Sequence, residues 1–582
     1  MNDNIFKTIQ NGSNFIFEAG PGSGKTTTLI RTLHQILMAP DSIIDPTSQK
    51  IACITFTNVA ANEIKERLGT NFDAVHVSTI HSFLWQLISS FQNELRRTLG
   101  IFNDRLGPSN KRYVPNLNLD SINIEYVDHY ADLSKGEISH DDLLELAFHM
   151  IEEYSTLRHL IKCQYPILLL DEYQDTQDIV IETLSALIKA DSQTAFGEID
   201  FRVGLFGDSM QSIYDSGAGY IDPQRLDAIT ITKEDNYRST PNIVRLINNV
   251  RAKSNEATHV EQQAQRTDLP QQSICSLFYT TNGIALNLRS LDAIASHFDW
   301  TLGEDTKVLE LTHSAISKTA NWNNLQKAYT YRGRDGFDRL RVGDDTYSST
   351  FLFISRLYKA WASHNGYDTL QLLRSESPGY IRDRNIVTST QDMIHWTSIL
   401  NEFVRRCNSD NVEESSISAI LRFVCDEDVQ LCRRIDRVAR FESYYDLDDS
   451  KRIDNRRKFL TALTKTHFSE LLHFYDYLDQ ATPFSTQHGT KGTEYDNVIL
   501  LIDDSTWKNN YSFSTVFGAS DRLAERVQRT LNLFYVSVSR ARNNLIVIYK
   551  NPKLDIIPGA KELFGEGNVQ PLEEVLPDIA VS

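Results

Sequence analysis

The eight residues AGPGSGKT, Ala19 to Thr26, limit the folds open to this chain more than any other feature in it. The apolar segment Asn14 to Phe17 runs into them, and TTLIRTLHQILM, with apolar residues at helical spacing, follows. Strand, glycine-rich turn, helix is the order of a phosphate loop. Glycines at 20, 22 and 24 let consecutive backbone N–H groups turn toward a phosphate chain at a helix N-terminus, where anions are favoured. Gly20, Gly22, Ser23, Gly24, Lys25, Thr26 and Thr27 are therefore expected to bind ATP, with Lys25 reaching the β and γ phosphates and Thr26 ligating Mg2+. Ala19 stands where the common pattern begins with Gly, and a plain structural turn is the alternative.

The segment LLLDEYQDT, Leu168 to Thr176, weakens that alternative. It is an apolar strand ending in two adjacent carboxylates. Asp171 at the strand's edge would hold the magnesium, and Glu172 beside it would orient and deprotonate an attacking water. Taken alone the pair reads as a solvated acidic strand end; a phosphate loop upstream makes that the minor reading.

Strand-like runs at 51–55, 167–170 and 202–207 alternate with helix-like stretches, the pattern of a parallel sheet with crossover helices. A second set at 307–312, 497–502 and 544–549 brackets a long stretch of charged helical periodicity. At 582 residues the chain is several times a usual domain of roughly 100–200 residues. The expected fold class is thus α/β, with two cores each interrupted by a mostly helical insertion. The first core takes 1–82 and 166–245 with insertion 83–165; the second takes 246–345 and 481–582 with insertion 346–480.

A net charge of -18 argues against sequence-blind attraction to nucleic acid over the whole surface, so DNA contact must come from a local groove. No apolar run approaches the roughly 18 residues that span a bilayer, and MNDNIFK lacks a basic region followed by an apolar stretch. A cytoplasmic location without membrane contact is the expectation. The six cysteines form no CxxC pair or ligand grouping, which points to reduced thiols.

Seven segments then occur in order: TFTNVAANEIKERL, STIHSF, DEYQDT, GDSMQSIY, NYRST, QHGTKGTEYDNVIL and YVSVSRA. With them the chain resembles the UvrD/Rep/PcrA family of superfamily 1 helicases over nearly its whole length. The resemblance implies two RecA-like P-loop motor domains and an ATP-dependent 3′ to 5′ DNA helicase. It implies that Gln211 senses the γ phosphate, that Arg238 and Arg540 are arginine fingers, that Tyr237 stacks on the base and that Glu494 accepts from the ribose hydroxyl. Single-stranded or forked DNA would touch Phe56, Thr57, Asn58, His81, Tyr214 and His488.

The chain also departs from that pattern. After QSIY the family continues with one residue and then an aromatic-Arg-Gly-Ala run, whereas this chain reads Asp215, Ser216, Gly217 and Ala218; the missing aromatic is a loss worth roughly 1–3 kcal/mol of base stacking. Thr27 replaces a frequent Arg, Gln10 lies too close to the loop to be the adenine-reading glutamine, and Leu531 and Asn532 occupy the places of an arginine pair. Arg433, Arg434, Arg437, Arg440, Arg452, Arg456, Arg457 and Lys458 beside Tyr444 and Tyr445 are candidates for duplex contact, although interleaved acids favour a solvated face. The short length, the wording of AGPGSGKT and GDSMQSIY and the degraded stacking motif are similar to the helicase-like subunit of Gabija-type anti-phage systems, which implies an ATPase-nuclease partner of the OLD family. The alternatives are a DNA-end sensor or regulatory subunit with little unwinding, and a DNA repair helicase.

Overall fold

The computed structural model describes residues 2–39, 43–45, 47–69, 73–127, 131–189, 200–214, 216–254, 258, 260–281, 286–377, 390–426, 429, 431–432 and 451–577. Two compact units divide the chain. One comprises Met1–Tyr279, Thr490–Val498 and Asp503–Gln570, the other Thr280–Gly489, Ile499–Ile502 and Pro571–Ser582.

The first unit contains a six-stranded sheet of β1 (Asn14–Ala19), β2 (Ile51–Thr55), β3 (Val75–Thr79), β4 (Ile167–Asp171), β5 (Arg202–Gly207) and β6 (Ala228–Lys233). Its order is β3-β2-β4-β5-β1-β6, and every neighbouring pair is parallel. β1, β2, β4 and β5 are buried along their whole length, which is why they read as apolar runs. The edge strands β3 (VHVST) and β6 (AITITK) are half-exposed and polar, and the sequence reading missed them.

Side chains alternate across the sheet. Phe15, Phe17 and Ala19 pack with helices Asn2–Gln10, Lys25–Met38 and Asn58–Leu68, while Ile16 packs with Ile80–Ile88, His140–Glu153 and Asp178–Ile188. Each fully buried Leu, Ile or Phe contributes about 1.5–3 kcal/mol, and burial of both faces penalises a one-residue slip of register.

A second six-stranded sheet is built from β7 (Cys275–Tyr279), β8 (Thr306–Glu310), β9 (Phe484–Thr486), β10 (Tyr495–Ile502), β11 (Ala541–Tyr549) and β12 (Val569–Pro571). β7 pairs in parallel with β11 in the first unit, and β8 in parallel with β9 in the second. The fold is α/β with two parallel six-stranded sheets. Among the described residues from Thr346 to Leu478 every named element is a helix. The second unit also holds an aromatic cluster in which Trp322 stacks on Phe337 and Tyr477 and meets Phe474 edge-on. Among the described residues no helix is long and apolar enough to cross a membrane.

Candidate active site

Parallel strands deliver their carboxyl ends to one side of a sheet, and ligands of open α/β sheets bind there. In the first unit those ends carry the phosphate loop after β1, Phe56 after β2, Asp171 and Glu172 at β4, and Gln211 after β5. A cleft of about 540 Å³ opens above them. Its walls include Gly22, Ser23, Gly24, Lys25, Thr26, Thr27, Asp171, Glu172, Gln211, Tyr237, Arg238, Glu494 and Arg540, together with Phe56, Thr57 and Tyr214 of the residues expected to meet DNA, sixteen of the residues singled out from sequence. Gly20 stands behind the wall, where a Cβ would lie 2.5 Å from the Gln262 side chain.

The loop is held from outside. Asn236 Nδ2 and Gln262 Nε2 each donate to the Pro21 carbonyl at 3.0 Å, and Tyr237 N donates to the Gly22 carbonyl at 2.8 Å. Gly22 and Gly24 have φ of 73° and 75°, the left-handed conformation that turns amides inward ahead of the helix Lys25–Met38. Lys25 Nζ donates to the Ala19 carbonyl at 3.2 Å. Ser23 Oγ and Thr55 Oγ1, both buried and both in residues of the cleft wall, have no hydrogen-bond partner among the described residues. Unpaired buried hydroxyls at a glycine-rich loop fit a polar, phosphate-bearing guest.

Burial, then the charge of Glu172, pushes the Asp171 carboxyl up to about 7, against the pull of Lys25. Burial acts on Glu172 too, but Lys25, Lys491 and a hydrogen bond from Gln174 outweigh it and hold that carboxyl below its ordinary value. Glu172 therefore stays ionised, as a base requires. Its φ of 51° places a non-glycine residue in the left-handed region, a conformation that costs on the order of 1–3 kcal/mol and clusters at functional sites.

Arg540 is fully buried; burial, with Arg238 nearby, brings its pKa down to about 9. Its guanidinium donates to the carbonyls of Val536 at 2.9 Å and Thr493 at 3.2 Å and to Ser539 Oγ at 2.9 Å. Arg238 Nε donates to Glu494 Oε2 at 2.7 Å, so the residues expected to serve phosphate and ribose are paired with each other. Tyr237 is 55% exposed, with Lys233 Nζ 5.6 Å above its ring.

Two family profiles match the chain: an AAA domain over residues 2–217, and a UvrD-like helicase C-terminal domain over residues 381–552. By these two matches the chain resembles the UvrD-like helicases. It is 26% identical to the Gabija protein GajB of one Bacillus cereus strain, across 97% of this chain and 96% of that one. A second Bacillus cereus GajB is 23% identical across 94% of each. The ATP-dependent DNA helicase UvrD1 of Mycobacterium tuberculosis is 29% identical across 42% of this chain and 38% of its own length.

In this UvrD-like chain, four of the residues expected to meet DNA form a patch at the ends of β2 and β5. Phe56 and Tyr214, each 42% exposed, stack at 6.3 Å with 20° between their rings. Thr57 caps the helix Asn58–Leu68 by accepting from Ala60 N at 3.1 Å, and Asn58 is exposed at its start. His81 lies in the first turn of the helix after β3; burial, with His140 near, lowers its pKa, and its Nε2 has no hydrogen-bond partner among the described residues. His488 lies in the second unit, in the turn His488–Thr490. Asp215 and the cluster Arg433, Arg434, Arg437, Arg440, Tyr444 and Tyr445 fall outside the described residues. Arg452, Arg456, Arg457 and Lys458 belong to the helix Lys451–Leu463, where Lys458 pairs with Asp454 at 2.6 Å.

The loop that departs from the family pattern is anchored to the DEYQDT segment: Ala218 N donates to the Thr176 carbonyl at 2.7 Å and Gly219 N to the Gln174 carbonyl at 3.2 Å. Just beyond it Tyr220, 46% exposed, shares a groove of about 350 Å³ with Tyr214. Asn532 donates to the Ser212 carbonyl at 2.8 Å and so braces the same loop. Sequence reasoning passed over Tyr220, Lys491, Gln262, Glu18 and Arg251. Glu18 alone carried a local signal, a carboxylate inside an otherwise apolar strand.

Proposed function

We propose that this chain is a magnesium-dependent, DNA-stimulated ATPase that moves 3′ to 5′ on single-stranded DNA and opens forks. The observation that supports the reading best is the single cleft that gathers the phosphate loop, the Asp171–Glu172 pair, Gln211 and two arginines. Lys25 and the loop amides bind the phosphates of ATP; Tyr237 and Glu494 serve base and ribose. Thr26 and Asp171 would hold Mg2+, which when bound neutralises charge at the phosphates. Glu172 takes the proton of the attacking water, Gln211 senses the γ phosphate, and Arg238 and Arg540 stabilise the charge that develops on the transferred group. Steady-state phosphate release with and without single-stranded DNA tests this: Lys25→Ala, Glu172→Gln and Arg540→Ala should each remove most turnover. Near wild-type rates for Glu172→Gln would refute the assigned base, and displacement of streptavidin from the wrong DNA end would refute the polarity.

The likeness to GajB over nearly the whole of both chains supports a role in anti-phage defence, in the cytoplasm, beside an ATPase-nuclease of the OLD family. Co-expression with the neighbouring reading frame and size-exclusion chromatography tests that partnership; a lone monomer beside a neighbour without a nuclease motif counts against it. A second reading, a DNA-end sensor that hydrolyses ATP but unwinds little, is favoured by the anchored loop at Ser216–Gly219, which carries no aromatic. Hydrolysis without strand separation in a fork assay would support it.

A further inference from the structure

Glu18 alternates away from Ala19 along β1 and enters the interior beside Asp208, the residue that follows β5; each is 0% exposed. Two carboxylates in so dry a place need a cation. Arg251, the last residue of the helix Pro241–Arg251, supplies it while only 4% exposed. Its Nη2 donates to Glu18 Oε1 at 2.9 Å, and its Nη1 donates to Asp208 Oδ1 and to the Tyr535 hydroxyl, both at 2.8 Å. Its Nε donates to the Thr258 carbonyl at 3.0 Å, so every nitrogen of the fork is used.

The partners of this one guanidinium lead into the cleft by separate routes. Glu18 precedes Ala19, whose carbonyl accepts from Lys25, and it accepts a hydrogen bond from Tyr173, next to Glu172. Asp208 accepts from Gln211 Nε2 at 2.9 Å and from Met210 N at 3.3 Å, so it shapes the turn that aims Gln211. Tyr535 donates to Asp208 Oδ2 at 3.1 Å from the helix Ala524–Val538, whose end leads directly to Arg540.

We propose that Arg251 is a positioning residue for ATP hydrolysis, holding Asp208 and Tyr535 so that Gln211 and Arg540 face the γ phosphate. The inference rests on the ATPase reading above. An arginine suits the task because its planar fork fixes several acceptors at once, whereas a lysine places one point charge.

The test is a double-mutant cycle in the full chain, reading DNA-stimulated ATP hydrolysis and thermal melting. Arg251→Lys should lower kcat about 10- to 100-fold with KM for ATP within about 2-fold, the pattern of a group misplaced in the transition state. In a Gln211→Ala background, where one of its two routes is already cut, the same substitution should lower kcat several-fold less than it does in the wild-type background. A purely structural role would instead lower the folded fraction and leave the two effects multiplicative. Tyr535→Phe, which removes one hydroxyl and keeps the ring, should repeat the pattern more weakly and serves if Arg251→Lys does not fold. Unchanged kcat in an active wild-type background, or effects that multiply, would overturn the role of Arg251 alone. A wild-type chain whose hydrolysis is insensitive to Lys25→Ala would overturn the ATPase reading with it.

Discussion

Lys491 Nζ lies 2.5 Å from each carboxylate oxygen of Asp175 and 2.6 Å from the carbonyl oxygen of Gln211. One ammonium therefore joins the end of DEYQDT, the turn that carries Gln211 and the segment QHGTKGTEYDNVIL. Burial pushes the Asp175 carboxyl up to about 6, with Lys491 pulling against it. Removing the cation leaves an uncompensated buried charge, which typically costs about 3–5 kcal/mol. Lys491→Met should lose stability on that scale in urea titrations, and adding Asp175→Asn should restore at least half of it. An additive loss in the double variant would deny the pairing.

Glycine substitutions should act in opposite directions at two positions. An alanine Cβ at Gly22, where φ is 73°, would lie 2.6 Å from Arg238 Cβ and 2.8 Å from Asn236 Oδ1. Gly22→Ala is expected to destabilise by at least about 1–3 kcal/mol from backbone strain alone, and to abolish ATP binding measured by calorimetry. Gly100 sits within the helix Gln92–Leu106 with nothing within 4 Å of its missing Cβ. Gly100→Ala should stabilise by about 0.5–1 kcal/mol.

His313 provides a pH dependence in the second unit. Burial, then Arg341, lowers its pKa from 6.5 to about 4 against the pull of Asp338, and its Nδ1 meets the Tyr477 hydroxyl at 2.8 Å. A folded-state pKa below the unfolded one means that the unfolded chain binds the proton first. The contribution is complete above pH 6.5 and is lost as pH falls toward about 4. Urea unfolding at several pH values should show wild type losing on the order of 2 kcal/mol relative to His313→Asn across that window, after a discount for partial exposure. Parallel curves for the two proteins would refute the shift.

Exposed aromatics at the strand ends should grip bases. Phe56→Ala and Tyr220→Ala are each expected to weaken binding of a labelled oligo-dT by about 1–3 kcal/mol in fluorescence anisotropy, with ATP affinity unchanged for Tyr220→Ala. Full affinity in the Tyr220 variant would leave the groove it shares with Tyr214 without a part in DNA binding.

Local patterns in the sequence determined the phosphate loop, the acidic end of β4 and the buried strands β1, β2, β4 and β5. Glycine spacing, a strand ending in carboxylates and an unbroken apolar run are properties of neighbouring residues. Strands β3 and β6 escaped because a polar edge strand is specified by the partner it bonds to, not by its own composition. The ties that brace the cleft were illegible for a related reason. Lys491 meets Asp175 across 316 positions and Arg251 meets Glu18 across 233, and no local period encodes such pairs. Only the tertiary structure decided them, because desolvation makes a buried charge seek whichever opposite charge the packing brings within reach.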